Sequence, residues 1–151
     1  MSKHGNLFVW GSNSRGQLGI DNKLFKEKKV FYPLKVCFDQ EKGKEPTFQN
    51  EVYISTCGSW NTAFVKTDEN LLTIYGNESN PNYIKKINLS SWLKLLEMWR
   101  SYVYYITEDA KFSIFDISTD ETWELELGVE DFSWAEIDKI SIGSEHIAIL
   151  N

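Results

Sequence analysis

The residue types best suited to catalysis are sparse here. Two histidines are present, His4 and His146, and two cysteines, Cys37 and Cys57. Neither cysteine belongs to a C-x-x-C pair, and no four-ligand set at close spacing exists, so no metal centre is expected. His146 directly follows Glu145. Neighbouring side chains of a strand point to opposite faces, so these two do not make an acid–base couple. His146 therefore reads as a hydrogen-bonding residue of the framework. Gly11-Ser12-Asn13-Ser14-Arg15-Gly16-Gln17 is a glycine loop, yet no Lys-Ser/Thr follows its last glycine and it opens no helix. A phosphate cradle is excluded on that ground, and Arg15 is left as a support of the turn or a contact to a partner. Residues 112–138 hold nine acids and no Lys or Arg (Asp116, Asp120, Glu121, Glu124, Glu126, Glu130, Asp131, Glu136, Asp138), with Trp123 and Trp134 interleaved. Carboxylates are so dense there that no pair stands out as catalytic. The stretch reads either as a solvated rim whose tryptophans pack inward or as a surface for a basic partner. No catalytic residue and no cofactor is expected.

What must position these residues is a framework of short strands. The chain has 151 residues, 42% hydrophobic and 15% aromatic, which suits one packed domain. Its formal net charge of −6 argues against nucleic acid as the main partner, because duplex-binding surfaces are basic. Met1–Gly5 is polar, and no apolar run approaches the ~18 residues that would span a bilayer. A soluble nuclear or cytoplasmic protein with no membrane partner is the expectation.

Gly5-Asn6-Leu7-Phe8-Val9-Trp10-Gly11 alternates as a strand before the loop that carries Gly11, Gly16 and Gly19. Glu51 to Val65 aligns without a gap on Glu136 to Leu150, an offset of 85 that matches Gly58 with Gly143. A middle copy around Met98–Asp109 sits at an offset of 41 from Cys57 and lacks the Gly-Ser pair. Leu71–Gly76 aligns with Leu7–Gly11 at an offset of 65, so Gly76 matches Gly11. Turns at 67–70 and 107–111 join strands into hairpins. Val30–Val36 is expected to be an outer strand, with Pro33 suited to a sheet edge. Asp39–Pro46 is expected to be a solvated loop. Ser90–Trp99 admits either a helical turn capped by Ser90 or a strand from Leu95 onward. Units of about 40–50 residues built from short antiparallel strands are blades of a β-propeller.

Trp10-Gly11-Ser12-Asn13, Gly16-Gln17-Leu18-Gly19 and Cys57-Gly58-Ser59-Trp60-Asn61-Thr62-Ala63 together resemble the repeat of the regulator-of-chromosome-condensation family. The first unit, to about Gly76, carries most of the likeness, and the later units are degenerate. The resemblance implies an all-β, seven-bladed propeller, of which residues 1–151 supply about three blades. A closed ring takes roughly 4–8 blades, so a single propeller segment belonging to a larger ring is expected. Within the family motif, Asn61 stands in place of a histidine and Trp60 at the variable position beside it, while Glu145 and His146 occupy the matching places of the last unit. The resemblance therefore implies partner-binding positions at Trp60, Asn61, Glu145, His146 and Arg15, with Gly11, Gly16, Gly19, Gly58, Gly76 and Gly143 as structural glycines. It implies a protein-interaction module, a scaffold or adaptor linked to chromatin regulation. The alternative it implies is a guanine-nucleotide exchange factor for a small GTPase, though no residue here matches the elements such exchange requires.

Overall fold

The computed structural model describes residues 6–20, 28–36, 52–66, 69–125 and 136–150. Every regular element of length among them is a strand. Strands β1 (Phe8–Ser12) and β2 (Lys29–Lys35) form a two-stranded sheet. Strands β3 (Val52–Cys57), β4 (Thr62–Lys66), β5 (Leu71–Tyr75) and β6 (Ile84–Asn88) follow as a four-stranded meander. A second meander holds β7 (Leu93–Trp99), β8 (Tyr102–Thr107), β9 (Phe112–Asp116) and β10 (Glu121–Leu125). Strands β11 (Lys139–Ile142) and β12 (Ile147–Leu150) make the last pair. All pairings are antiparallel between sequence neighbours. Strand β7 packs beside both β3 and β11, so the first strands of successive sheets stand side by side.

The repeats hold to the residue. Cys57 pairs with Thr62, Met98 with Val103 and Ile142 with Ile147, which are the offsets of 41 and 85 expressed as strand register. The turns share a closing bond as well: the Gly58 amide donates to the Asn61 carbonyl (3.0 Å) and the Gly143 amide to the His146 carbonyl (2.9 Å). Gly11 and Gly76, matched by the offset of 65, both have positive φ, +105° and +83°.

Each sheet covers its neighbour, because alternate side chains of one strand serve opposite faces. Phe64 of β4 joins Leu7, Val9, Leu18, Val30, Val36 and Val52 between the first two sheets. Its neighbours Ala63 and Val65 turn the other way, to Leu93, Leu96, Met98, Val103, Tyr105 and Phe115 of the next sheet. Ile106 and Phe112 continue the pattern toward Ile137 and Ile140. Strand period and sheet stacking thus generate three cores for four sheets. Burying a side chain such as Leu72 or Ile74, both fully covered, contributes about 1.5–3 kcal/mol.

Two expectations are corrected and two are met. Strand β7 begins at Leu93, not Leu95, and no helical turn precedes it. The Ser90 and Ser91 hydroxyls donate instead to Asp109 of the β8–β9 turn (3.3 and 2.8 Å), which fixes this stretch from across the sheet end. Trp123 does not pack inward. It is 43% exposed on β10, the outermost strand of its sheet, which has a single neighbour, β9. The expected outer strand at Val30–Val36 is present as β2 (Lys29–Lys35), one residue earlier, paired to β1 with its register shifted near Pro33. The turn at 107–111 closes through Ala110 N donating to Thr107 O (2.9 Å). Asp39–Pro46, Cys37, Trp134, Glu126, Glu130 and Asp131 lie outside the described residues, as does part of the turn at 67–70. No helix among the described residues is long and apolar enough to cross a membrane.

Candidate functional site

In each meander the turns from odd to even strands lie at one end of the sheet. Hydrogen bonds tie these ends into one surface. The Asn77 amide donates to the Arg15 carbonyl (3.3 Å), Asn77 Nδ2 to the Ile117 carbonyl (3.3 Å), and the Ile117 amide to the Ser101 carbonyl (2.9 Å). The β1–β2, β5–β6, β9–β10 and β7–β8 connections are thereby linked in that order.

The glycine loop is rigid by construction. Asn13 is 2% exposed, and its Oδ1 accepts from Leu18 N (3.0 Å). Gln17 Oε1 accepts from Arg15 N (2.8 Å). Gly16 has φ +73°, and a Cβ there would stand 1.8 Å from the Pro81 carbonyl oxygen. Gly76, at φ +83°, would bring a Cβ to 2.4 Å from the Trp60 carbonyl oxygen and 2.7 Å from Gln17 Cα. Only glycine permits both the conformation and the approach. Gly19 lies against the Tyr75 ring, and Gly11 has open space around it.

This packing brings three of the proposed positions together. The Arg15 guanidinium lies 5.9 Å from the ring centroid of Trp60, which is 39% exposed. Asn61, the next residue, is buried at 3% exposure, and its Nδ2 donates to the Gly76 carbonyl (2.6 Å). Its Oδ1 has no hydrogen-bond partner among the described residues. Asn61 thus fastens the turn that presents Trp60 and lies beneath the surface. It also lines a cavity of about 450 Å³ between β1 and the β3–β4 turn, with Leu7, Val9, Trp10 and Cys57.

Glu145 and His146 are exposed on the β11–β12 turn, the third of the series. The imidazole rests against Gly143, whose Cβ would come within 2.4 Å of it. Because β7 separates β3 from β11, these two residues share the face with Trp60 but stand two turns away.

One pair escaped the sequence reading. Arg100, on the turn between them, lies 4.5 Å over the Trp99 ring. It adopts φ 53°, a left-handed conformation unusual for a side-chain-bearing residue. Gly58 packs against this turn, since a Cβ there would meet Met98 Sδ at 2.8 Å and the Arg100 carbonyl at 2.9 Å. The offset of 41 already placed Arg100 opposite Ser59. At this turn Trp99-Arg100 stands where the other units carry Gly-Ser.

The acids at the far side of the face are partly engaged. Asp116 is buried, and the Ser118 amide donates to its Oδ1 (2.8 Å). Asp120 is paired with Lys85, which holds its carboxyl below the usual range. Burial, and then the hydrogen bond to Asp120, push the Tyr83 phenol upward. Glu121 and Glu124 are exposed on β10. Among the described residues, no three His, Cys, Asp or Glu side chains gather as a metal site would need.

Residues 4–65 match the model of the regulator of chromosome condensation (RCC1) repeat. The match covers the first unit, less than half of the chain. The chain is also similar in fold to several solved structures. The crystal structure of Prp20p from Saccharomyces cerevisiae aligns with a TM-score of 0.65 at 16% identity, over 97% of this chain and 37% of its own. Human WBSCR16 aligns with a TM-score of 0.62 at 14% identity, over 85% and 37%. Yeast RCC1 (Prp20), in its complex with Kap60, gives 0.56 at 13%, over 79% and 30%. The chain thus spans about a third of the length of these proteins, and the likeness is one of fold: all-β, with antiparallel blades of the RCC1 type. No curated protein is similar enough in sequence to count as a relative.

Proposed function

We propose that residues 1–151 form one propeller segment of a larger ring and act as a non-catalytic protein-interaction module, a scaffold or adaptor in the nucleus or cytoplasm. The partner sits on the face of odd-to-even turns. Trp60 and Arg15 are its central contacts, Glu145 and His146 its contacts on the third turn, and Asn61 positions Trp60. The observation that carries this reading is the Arg15–Trp60 pair, held at the surface by a loop whose own polar groups are satisfied internally. Aromatic and arginine side chains on a rigid support are the usual anchors of protein interfaces. The exposed Glu121 and Glu124 of β10 form a rim suited to a basic part of the same partner. Affinity capture from cell extract tests the proposal. Trp60→Ala is expected to deplete the captured partner strongly, and Trp92→Ala, on the opposite end of the sheets, to leave it unchanged. Equal capture by both variants would refute the assignment.

A second reading is guanine-nucleotide exchange on a small GTPase. Its support is the fold likeness to Prp20p, a protein whose structure was described together with its binding to Gsp1p and histones. Release of a fluorescent guanine nucleotide from a panel of small GTPases, at catalytic concentrations of this chain, would establish it. No acceleration across the panel would exclude it for those GTPases.

A further inference from the structure

We infer that the turn face recognises an acidic peptide segment, and that Arg15 on Trp60 and Arg100 on Trp99 form the two halves of its binding site. The inference rests on the protein-partner reading and names the chemistry of the partner.

The two pairs flank one turn. Trp60 belongs to the Gly58–Asn61 turn and carries Arg15 on one side. Gly58 of that turn touches the Arg100 backbone on the other. The pairs are therefore parts of a continuous surface. In each, the guanidinium is laid over an indole, which orders it while leaving N–H groups free at its edge. Among the described residues, no carboxylate is paired with either arginine; the ion pairs there are Lys66–Glu69 and Lys85–Asp120. Arg100 also occupies a backbone conformation that disfavours any residue but glycine, at a site where its repeat counterparts are Ser59 and Ser144. Two preorganised guanidiniums, one beside the exposed Trp60 indole and one over the half-buried Trp99 indole, suit carboxylates on a peptide, which can accept bidentate hydrogen bonds from them.

The charge around the pairs selects the ligand class. Lys28 and Lys29, where β2 leaves the glycine loop, add positive charge on the first-unit side. Glu78, one residue from the Asn77 that bonds the Arg15 carbonyl, and Glu145 lie on the same face, and the chain as a whole is at −6. A long polyanion such as a nucleic acid meets that repulsion along its length, whereas a short segment with two carboxylates does not.

The test uses the full chain with 15N-labelled tryptophan, so that each indole N–H reports its own surroundings. The probe is a blocked decapeptide containing Glu and Asp spaced by Gly, compared with its Gln/Asn counterpart and with a single-stranded oligonucleotide of equal charge. The acidic peptide is expected to shift the Trp60 and Trp99 signals and leave those of Trp92 and Trp123 in place. Arg15→Gln and Arg100→Gln should each weaken it about tenfold, as loss of a charge-assisted hydrogen bond implies. Arg100→Lys should recover only part of that, since it keeps the charge and loses the planar stack. Unchanged Trp92 and Trp123 signals verify that each variant is folded. Equal shifts with the neutral peptide, tighter binding of the oligonucleotide, or no shift at Trp60 and Trp99 would overturn the inference. Should the captured partner still depend on Trp60 while the acidic peptide fails to compete with it, the inference falls and the protein-partner reading stands. Should capture be indifferent to Trp60 altogether, it is that reading which falls.

Discussion

The first complete sheet, β3–β6, and the second, β7–β10, reach the same architecture by different means. The first relies on specific polar and glycine contacts: Gly76 beneath Trp60, Asn61 to the Gly76 carbonyl, Gly58 against the next turn. The second has none of these signatures. Its turn is Trp99-Arg100-Ser101-Tyr102, and it holds register through Leu93, Leu96, Met98, Val103, Tyr105 and Phe115 packed on the preceding sheet. Strand alternation and stacking are therefore sufficient for a blade. The motif residues add a fixed surface, and what they fix is the candidate site.

That contrast can be broken most forcibly at the core. Phe64→Ala, removing the ring that joins the first two sheets and stacks on Tyr75 at 5.7 Å, is expected to cost about 3–5 kcal/mol in denaturant unfolding. Gly76→Ala should cost about 2–3 kcal/mol, through both its positive φ and the close Trp60 carbonyl, and should release Trp60 as read by indole fluorescence. Asn61→Ala should cost about 1–2 kcal/mol, since it strands the Gly76 carbonyl yet also removes an unsatisfied oxygen. Arg100→Gly runs the other way. It should stabilise the chain by about 0.5–1 kcal/mol, by relieving the left-handed turn, while weakening acidic-peptide binding about tenfold, as Arg100→Gln does. A neutral or destabilising result would mean that the turn is not strained.

The smallest effect lies at the opposite end of the sheets. The Thr107 and Ser91 hydroxyls hold the Asp109 carboxyl down to about 2. A folded-state value below the unfolded one adds stability above the ordinary carboxylate range, and that contribution fades as pH falls toward 2. Ser91→Ala should move the carboxyl back up toward its ordinary range, as followed by carbon-detected NMR titration. The face that carries Arg15 and Trp60 should be unaffected.

Much of the architecture was legible in the sequence because spacing and alternation survive even where motifs do not. The offsets of 85 and 41 reappear as Cys57–Thr62, Met98–Val103 and Ile142–Ile147 pairings. Less legible was the start of β7, where Ser90 and Ser91 resembled a helix cap and in fact bind Asp109, 19 and 18 residues away. Trp123 misled for a similar reason. A large apolar side chain suggests a core, but among the described residues its strand is paired on one side only, by β9, and the ring is 43% exposed. The Arg15–Trp60 contact joins residues from two different sheets, and neither residue's neighbours in sequence announce it. Arg100 is hidden because the Gly-Ser pair that marks the equivalent turn in the other units is absent there.

Hydrogen–deuterium exchange of the chain, alone and with its captured partner, tests the central claim most directly. Protection should rise at residues 12–19, 58–61, 99–102 and 143–146, the turns of one face, and stay level at 89–92 and 107–111 on the other. Protection confined to 89–92 and 107–111, or to β10 alone, would contradict the account.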